Sequence, residues 1–462
     1  MWFAFLLLGS GTEAFGENGD AIDRENGSAW NALDGLRAAE FSGTLVYFER
    51  HRERYRVDEG RFGSNLHHQT LQGQFDFSSP FFADTIGVDV GVFATTDLSN
   101  SASPDHELSF FPWENPWSPD WSKRDAESGA SLYRAHLKLR HAHESGALWG
   151  KLGDFQPTGP GVLGVNWSLM PGTYRGAEGG GEWSKNGNTL AIAGAYVTKY
   201  KAPWYRELYA FRKSDGQAGV DHLWSLGARY QGAGGLSTEI AYGEARDFLQ
   251  SAHLKFKYRS PESPFSLSYQ LYVMGDRDGT ASPNNHYAGK WATQHYLAFS
   301  RDFFPYTLKT EFLHTRAPSD QPQHLGYFVY RLSGAYGGAN GAYEPWWDNR
   351  SDWNHHRESA VFVSVSHSLN GLIGELPGVV LTLSAARGWG GKVYGVEQKL
   401  RESAWSFDLT YLTPAGPLKN TRFSLHYTRY NNKTRQPSWE GFKNLFQDER
   451  DLKFFIIVPW KI

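Results

Sequence analysis

The sequence has no cysteine, almost no net charge and no long apolar run after its first residues. Without Cys in 462 residues, a disulfide framework, a lipidated thiol and a thiolate metal site are excluded. A formal net charge of −3 is too balanced to indicate a nucleic-acid partner. No later stretch reaches about 18 apolar residues, which excludes a helical membrane protein.

Aromatic residues and glycine are abundant instead, with 30 Phe, 24 Tyr, 18 Trp and 50 Gly. The chain starts with the apolar run Met1–Gly9, and cleavage after Ala14 fits a secretory signal. We expect residues 1–14 to be a signal peptide; a truncated or misassigned start would explain its short apolar run and its missing basic segment. A buried N-terminal strand is the alternative. Residues 15–40 are polar and are interpreted as a periplasmic leader or small plug.

From Phe41 onward the dominant period is two. Trp405, Phe407 and Leu409 alternate with Ser406 and Asp408, and the same alternation occurs in residues 235–246, 264–275 and 420–430. One face of each segment is apolar and aromatic, and the other is polar or small. A soluble β-sandwich shows the same alternation, so the period alone does not decide the class.

The lengths of the connections decide the class. Short turns such as Ser184–Asn188 alternate with long loops such as Ala317–Arg357, as in outer-membrane barrels. We predict an all-β, transmembrane antiparallel β-barrel of about 18 strands over residues 41–462, with residues 325–332 in a loop. The last strand, with Trp460 and Ile462 on its apolar face, suits closure and recognition by the barrel-assembly machinery. The predicted strands lie near residues 41–54, 64–79, 85–97, 129–141, 146–155, 175–184, 188–199, 218–230, 235–246, 250–260, 264–275, 291–302, 306–316, 358–369, 379–388, 403–413, 420–430 and 450–461.

The polar faces of the strands are expected to line the lumen, because Lys or Arg facing lipid at the midplane costs about 2–4 kcal/mol. In the predicted fourth strand Tyr133 then faces lipid. Two basic ladders face the lumen: Arg134, His136, Lys138 and Arg140 in the first, and His253, Lys255, Lys257 and Arg259 in the second. Loop acids are expected to face the ladders across the channel, namely Asp348, Asp352, Glu402, Asp448 and Glu449. The alternative is that the basic residues only keep the lumen polar and hydrated.

The stretch Gln156–Glu178, QPTGPGVLGVNWSLMPGTYRGAE, is too broken by Pro and Gly for a helix or an inner strand. Its many apolar side chains predict a loop folded into an interior. A second segment, WWDNRSDWN at Trp346–Asn354, combines flat rings with polar groups, which suits sugars. Loop packing or an interfacial aromatic belt is the alternative. The predicted substrate contacts are Trp167, Tyr174, Trp346, Trp347, Asp348, Arg350 and Trp353.

Signatures of catalysis and of metal binding are missing from the sequence. It has no G-x-S-x-G elbow, P-loop or H-E-x-x-H motif. The neighbouring histidines, such as His67 with His68 and His355 with His356, have no third ligand at a useful spacing. We therefore predict no enzymatic activity, no metal and no cofactor.

Several long, irregular stretches resemble the OprD-type outer-membrane porins, most closely the chitoporin branch. They are YFERHRER (Tyr47–Arg54), Gln156–Glu178, YKAPW (Tyr200–Trp204), Trp346–Asn354, ESAVF (Glu358–Phe362) and PSWEGFKNLFQDERDLKF (Pro437–Phe454). The similarity runs from about Phe41 to the end. It implies an 18-stranded barrel, an inward-folded third extracellular loop at Gln156–Tyr174, and lumen basic residues that match the first ladder by position.

The expected function is that of a passive outer-membrane channel for chitooligosaccharides in a Gram-negative bacterium. Other small solutes, such as basic amino acids, carboxylates or other oligosaccharides, are the same-class alternative. An outer-membrane enzyme and a surface adhesin or phage receptor are alternatives of other classes. Expected contacts are outer-membrane lipid and lipopolysaccharide, and the barrel is a monomer or a homotrimer.

Overall fold

The computed structural model describes residues 38–100, 116–117, 128–165, 170–259, 262–277, 286–335, 337–372, 374, 376–434 and 447–461. Its main element is one antiparallel barrel of eighteen strands. They are β1 (Glu40–Arg56), β2 (Arg61–Ser78), β3 (Ile86–Asn100), β4 (Gly129–His143), β5 (Gly146–Phe155), β6 (Thr173–Lys185), β7 (Asn188–Lys201), β8 (Leu223–Gln231), β9 (Leu236–Ala245), β10 (Leu249–Arg259), β11 (Phe265–Asp276), β12 (Trp291–Phe303), β13 (Tyr306–Arg316), β14 (Ser359–Ser368), β15 (Val379–Trp389), β16 (Arg401–Leu412), β17 (Arg422–Asn432) and β18 (Glu449–Lys461).

The barrel is closed by its first and last strands. β1 pairs antiparallel with β18, with Tyr47 opposite Ile456. Closure satisfies the backbone groups that an open sheet would leave at its edges. In the described part of the chain, no helix is long and apolar enough to cross a membrane.

All eighteen predicted strands are present, and the predicted fold class is confirmed. The largest shift is at β8, which was predicted to start near residue 218 and starts at Leu223. The residues before it, Gly219–Val220, pair instead with the short segment Tyr209–Arg212 in the β7–β8 connection. A pattern of alternation cannot distinguish a small hairpin in a loop from the end of the next wall strand.

Apolar side chains cover the outside of the wall, as a lipid-facing surface requires. Leu45, Leu152, Ile240 and Leu383 are between 52% and 60% exposed. Every long connection follows an odd-numbered strand, as at β5–β6 and β13–β14, whereas the connections after even-numbered strands are short, as at β6–β7 and β12–β13. The β1–β2 and β9–β10 turns are short members of the first group. The long-loop rim is therefore the extracellular one.

Two extracellular connections fold into the barrel. The first inward loop (residues 156–172) joins β5 to β6, and the second inward loop (residues 317–358) joins β13 to β14. Apolar residues of both loops form one buried cluster with the inner side of the wall, including Val162, Leu163, Phe328, Leu332, Tyr200 and Tyr272. This cluster lies inside the barrel and explains why the loops carry so many apolar side chains.

Candidate functional site

The first inward loop is held at its start by one buried carboxylate. Glu178, on β6, accepts backbone hydrogen bonds from Thr158 N at 2.9 Å and Gly159 N at 2.8 Å. It also accepts one from Lys151 Nζ at 3.1 Å. Nearby, the Gln156 amide donates to the carbonyl of Gly172 at 3.0 Å, which ties the two ends of the loop together. Main-chain groups that Pro and Gly leave without strand partners are thus satisfied inside the barrel.

The wall beneath this loop is made of small residues. Val162 N donates to Ser225 Oγ on β8 at 2.8 Å. A Cβ atom added at Gly227 would lie 2.5 Å from the Pro160 carbonyl oxygen, and one at Gly243 would overlap the Val162 side chain. Glycine at these positions therefore permits close approach of the loop backbone. Small residues on the polar face of β8 and β9 were the sequence signal for this docking surface.

The two inward loops are joined to each other. Leu163–Gly164 pairs antiparallel with Asn340–Gly341. The Tyr174 hydroxyl donates to Asn340 O at 2.7 Å and accepts from Asn340 N at 3.0 Å. The lumen is therefore narrowed by two connected segments, whereas the sequence predicted one. Tyr174 is fully buried, and in this position its ring makes packing contacts and does not face a solute.

The Trp-rich segment of the second inward loop is mostly internal. Trp347 and Trp353 are each 1% exposed and pack with Phe362 and Tyr430. Trp347 lies 5.2 Å from Phe362, centroid to centroid, and its Nε1 donates to Glu311. Burial removes both rings from the surface that a sugar would touch, so they support the packing alternative. Trp346 keeps part of its surface exposed.

The polar members of this segment bind β18. Asp348 forms an ion pair with Lys453 Nζ at 2.5 Å, and Arg350 Nε pairs with Glu449. These contacts attach the loop to the wall opposite the small-residue surface. Trp167 lies outside the described residues, so its predicted role stays a prediction.

The first basic ladder is inward-facing but paired. Lys138 Nζ lies 2.9 Å from Asp89 Oδ1, and His136 Nε2 lies 3.4 Å from Asp89 Oδ2. Arg134 Nη1 is 3.5 Å from Asp76 Oδ1. At the end of the ladder, the Arg140 guanidinium lies 5.0 Å from the Phe81 ring. The aspartates come from β2 and β3, so every member of the ladder except Arg140 lies close to a carboxylate.

One orientation in the first ladder was predicted wrongly. Tyr133 is fully buried and donates a hydrogen bond to Asp76, so it points inward. The pairing of β3 with β4 shifts at this point, where Gly91 opposes Arg134 and Val92 opposes Leu132. The β-bulge leaves Tyr133 unpaired and places two successive side chains on one face. Strict alternation does not reveal such an insertion.

The second ladder is also neutralised by close carboxylates. His253 Nε2 lies 2.7 Å from Glu239 Oε1 on β9. Lys255 and Lys257 lie 3.0 Å and 2.6 Å from the two carboxylate oxygens of Glu344, in the second inward loop. Arg259, near the periplasmic rim, lies 3.8 Å from Asp302. Burial opposes ionisation of Glu344, but the two lysines lower the pKa of Glu344 to about 2.

Three of the acids that were expected across the channel from the ladders, Asp348, Glu402 and Glu449, bind other groups. Asp348 and Glu449 bind Lys453 and Arg350, as described above, and Glu402 accepts hydrogen bonds from Ser351 and Tyr430. A third inward basic column was missed: Arg50, Arg52 and Arg54 on β1. Arg50 makes a bidentate pair with Asp451, and Arg54 Nη2 lies 2.6 Å from Glu449. The period-two spacing of these three arginines is visible in the sequence YFERHRER (Tyr47–Arg54).

Two buried glutamates lie together at the extracellular base of the second inward loop. Glu358 accepts from His355 N at 3.0 Å, while Glu402 accepts from Ser351 Oγ at 2.9 Å and from the Tyr430 hydroxyl. No described Lys or Arg forms an ion pair with either carboxylate. Burial raises the pKa of Glu358 to about 7. The potential ligand atoms of His355, Glu358 and Glu402 lie within 4.8 Å of one another, a proximity that sequence spacing did not indicate.

A closed transmembrane barrel with a polar lumen and inward loops is the architecture of an outer-membrane channel. A model of the OprD family of outer membrane porins matches residues 39–450. The chain belongs to this family and lies in the outer membrane of a Gram-negative bacterium. It is a channel and not an enzyme, as predicted.

Individual relatives agree with this assignment. Chitoporin of Escherichia coli (strain K12) is 34% identical over 458 residues, covering 94% of this chain and 95% of that protein. OccAB1 of Acinetobacter baumannii has the same fold with a TM-score of 0.70 at 17% identity, covering 92% of this chain and 97% of OccAB1. OpdK of Pseudomonas aeruginosa, solved with vanillate, gives a TM-score of 0.68 at 15% identity, covering 92% of this chain and 99% of OpdK. The predicted resemblance to the chitoporin branch is confirmed.

Proposed function

We propose that this porin is a passive, substrate-specific channel for the uptake of chitooligosaccharides. The similarity to a chitoporin over most of both chains supports this solute class. The observation on the molecule that carries the proposal is the paired lumen wall. Lys138, Lys255 and Arg50 each lie within ion-pair distance of a carboxylate. Such a wall offers many hydrogen-bond donors and acceptors with little uncompensated charge, which suits an uncharged polar solute.

Aromatic faces are expected to hold the apolar sides of the sugar rings weakly enough to permit release. Trp346 and Trp167 are the proposed contacts, together with the polar groups of Asp348 and Arg350. In this proposal Tyr174, Trp347 and Trp353 act indirectly, by fixing the two inward loops. Contacts with lipopolysaccharide and with the barrel-assembly machinery, and the choice between monomer and homotrimer, remain predictions.

Single-channel recording in planar bilayers tests the proposal. Chitohexaose added to one side is expected to interrupt the ion current, whereas maltohexaose of the same length is expected to have little effect. Indifference to chitohexaose combined with block by arginine or by a carboxylate would assign the channel to a different solute class.

Substitution of the proposed aromatic contacts separates binding from folding. Trp346→Ala and Trp167→Ala are expected to shorten the residence time of chitohexaose while leaving the open-channel structure intact. Trp291→Ala is the matched control, because Trp291 is 53% exposed on the outer face of the wall. Equal residence times in wild type and Trp346→Ala would remove Trp346 from the site.

A further inference from the structure

A group of basic side chains lies on the outer, lipid-facing side of the wall near the extracellular rim. In the register of β15 and β16, Trp389 is opposite Arg401 and Arg387 is opposite Ser403. These positions share a face with Leu383, which is 54% exposed, and with Trp405, which is 45% exposed. Arg387 and Arg401 therefore point away from the lumen.

Neighbouring segments add further positive charge to this face. Lys399 lies two residues before the first residue of β16, Lys433 directly follows β17, and both are exposed. Arg429 is opposite Trp405 in the pairing of β16 with β17, so it shares the outer face. Arg387, Lys399, Arg401 and Lys433 line one cleft of about 740 Å³, with Trp389 at its side. We call Arg387, Lys399, Arg401 and Lys433 the rim cluster.

The rim cluster differs from the basic residues inside the barrel. Within the described part of the chain, none of its four side chains forms an ion pair, whereas Lys138, Lys255 and Arg50 all do. Asp448 is close enough for its charge to act on Lys433 and Arg429, but among the described residues it forms no ion pair with the rim cluster and accepts a hydrogen bond from Asn432 N at 2.7 Å. Glu402 also lines the cleft, but its carboxyl is bonded to Ser351 and Tyr430. The cleft thus concentrates positive charge that no ion pair among the described residues neutralises.

The height of the rim cluster on the wall indicates where its partner lies. Trp and Tyr side chains on the outside of a barrel mark the boundary between hydrocarbon and headgroups. Trp389 is the last residue of β15, at its extracellular end. Trp405 lies lower on the same outer face, and its ring is 5.3 Å from that of Tyr427, at the middle of β17. Arg401 is opposite Trp389, and Arg387 lies between the levels of Trp389 and Trp405. Lys399 and Lys433 lie beyond the extracellular ends of their strands, so the rim cluster is at the height of the outer-leaflet headgroups.

We propose that the rim cluster binds the phosphate groups of lipopolysaccharide in the outer leaflet. Guanidinium and ammonium groups form strong, charge-assisted hydrogen bonds with phosphate oxygens. Basic pockets at headgroup level are the usual way in which membrane proteins select phosphorylated lipids. The acyl chains of such a lipid would lie along the apolar strip below, which includes Leu383 and Trp405. A permeating solute is separated from this site by the barrel wall, so the proposal does not depend on which solute passes.

Binding of purified lipid A to the detergent-solubilised full-length porin, measured by native mass spectrometry, tests the proposal. Wild type is expected to retain diphosphoryl lipid A at least about tenfold more strongly than the fully dephosphorylated lipid. Arg387→Gln combined with Arg401→Gln is expected to lose most of this preference. Equal retention of the two lipids by wild type, or an unchanged preference in the double variant, would overturn the proposal.

A matched control uses basic residues at the opposite rim. Lys185 and Lys419 are exposed in or beside periplasmic turns, and Lys185→Gln with Lys419→Gln changes the net charge by the same amount. This control is expected to keep the phosphate preference, and a loss as large as in the rim-cluster variant would mean that net charge alone is responsible. Excess inorganic phosphate is expected not to displace the lipid; complete displacement would assign the cleft to free phosphate. Unchanged single-channel conductance and heat-dependent gel migration in the rim-cluster variant would show that its barrel is intact.

Discussion

The two inward loops close the same lumen by different means. The first inward loop lies on a wall of small residues and is held mainly through its own backbone, by Glu178 and Ser225. The second inward loop is held through its side chains, by the Trp347 and Trp353 rings and by the ion pairs of Asp348 and Arg350. A backbone-held loop depends on the space in the wall and on one carboxylate. A side-chain-held loop depends on many groups, each of which is sensitive to substitution.

The largest expected effect comes from removing a ring that holds the second inward loop. Trp347→Ala deletes a fully buried indole and its hydrogen bond to Glu311. This loss should lower the free energy of unfolding by about 3–5 kcal/mol. Hydrogen–deuterium exchange should rise strongly in residues 343–358 and much less in residues 156–161. The outward-facing Trp291→Ala is the control and should leave both segments unchanged. An equal rise in both loops would show that they are held as one unit.

The next effect concerns the carboxylate that holds the first inward loop. Glu178→Gln keeps one acceptor but loses the charge that balances Lys151, whose Nζ lies 3.1 Å away. Removing one charge of a buried ion pair should destabilise the docked loop by about 3 kcal/mol or less, because the site retains some solvent. Residues 158–165 should exchange faster, and the open-channel current should become noisier.

The control for this change is on the same strand. Glu182→Gln alters an exposed glutamate of β6 and should have no effect on exchange or current. If Glu178→Gln behaves like Glu182→Gln, the backbone contacts with the wall would be sufficient to hold the loop.

A smaller effect is expected where the two loops meet. Tyr174→Phe removes the hydroxyl that bonds both Asn340 O and Asn340 N, at a cost of about 1 kcal/mol. Exchange should rise modestly in both loops at Leu163–Gly164 and Asn340–Gly341, since each segment loses its clamp. Tyr196→Phe, on the outer face of β7, is the control. A change confined to one loop would mean that the hydroxyl stabilises only that loop.

The sequence predicted the barrel well because alternation and loop length are local properties. Every wall strand was recovered, and the error at β8 arose at a hairpin that imitates a strand end. The polar lumen face of β10 could also be predicted, because charged side chains that face lipid are destabilising. The bulge at Tyr133 could not be predicted, because an inserted residue changes which side of the wall the following side chains face without changing the composition of the strand.

The candidate site was less predictable than the wall. Side chains such as Trp347 and Tyr174 have the composition of a sugar-binding surface, but whether an aromatic ring is buried depends on what the loops pack against. The meeting of Leu163–Gly164 with Asn340–Gly341 joins residues far apart in the chain, and no local pattern encodes it. The same holds for Glu358 and Glu402, which come together only through the fold.

The smallest expected effect is a dependence on pH at the base of the second inward loop. Burial raises the pKa of Glu358 to about 7, above the ordinary value of 4.5, so the docked loop binds this proton more tightly than an open loop does. The resulting stabilisation is complete below about pH 4.5 and is lost as the pH rises through about 7. His355 and Glu402 contact the Glu358 carboxyl, and Ser351 and Tyr430 bond to Glu402. None of these four supplies the permanent positive charge that would stabilise the ionised form. After correction for intrinsic rates, exchange in residues 351–358 should therefore increase between pH 5 and pH 8. Glu358→Gln should reduce this increase, because the amide does not titrate and only the neighbouring Glu402 carboxyl remains, and the first inward loop serves as the internal control. The effect should be modest because the Trp347 and Trp353 cluster still holds the loop, and an equal pH dependence in wild type and Glu358→Gln would locate the responsible proton elsewhere.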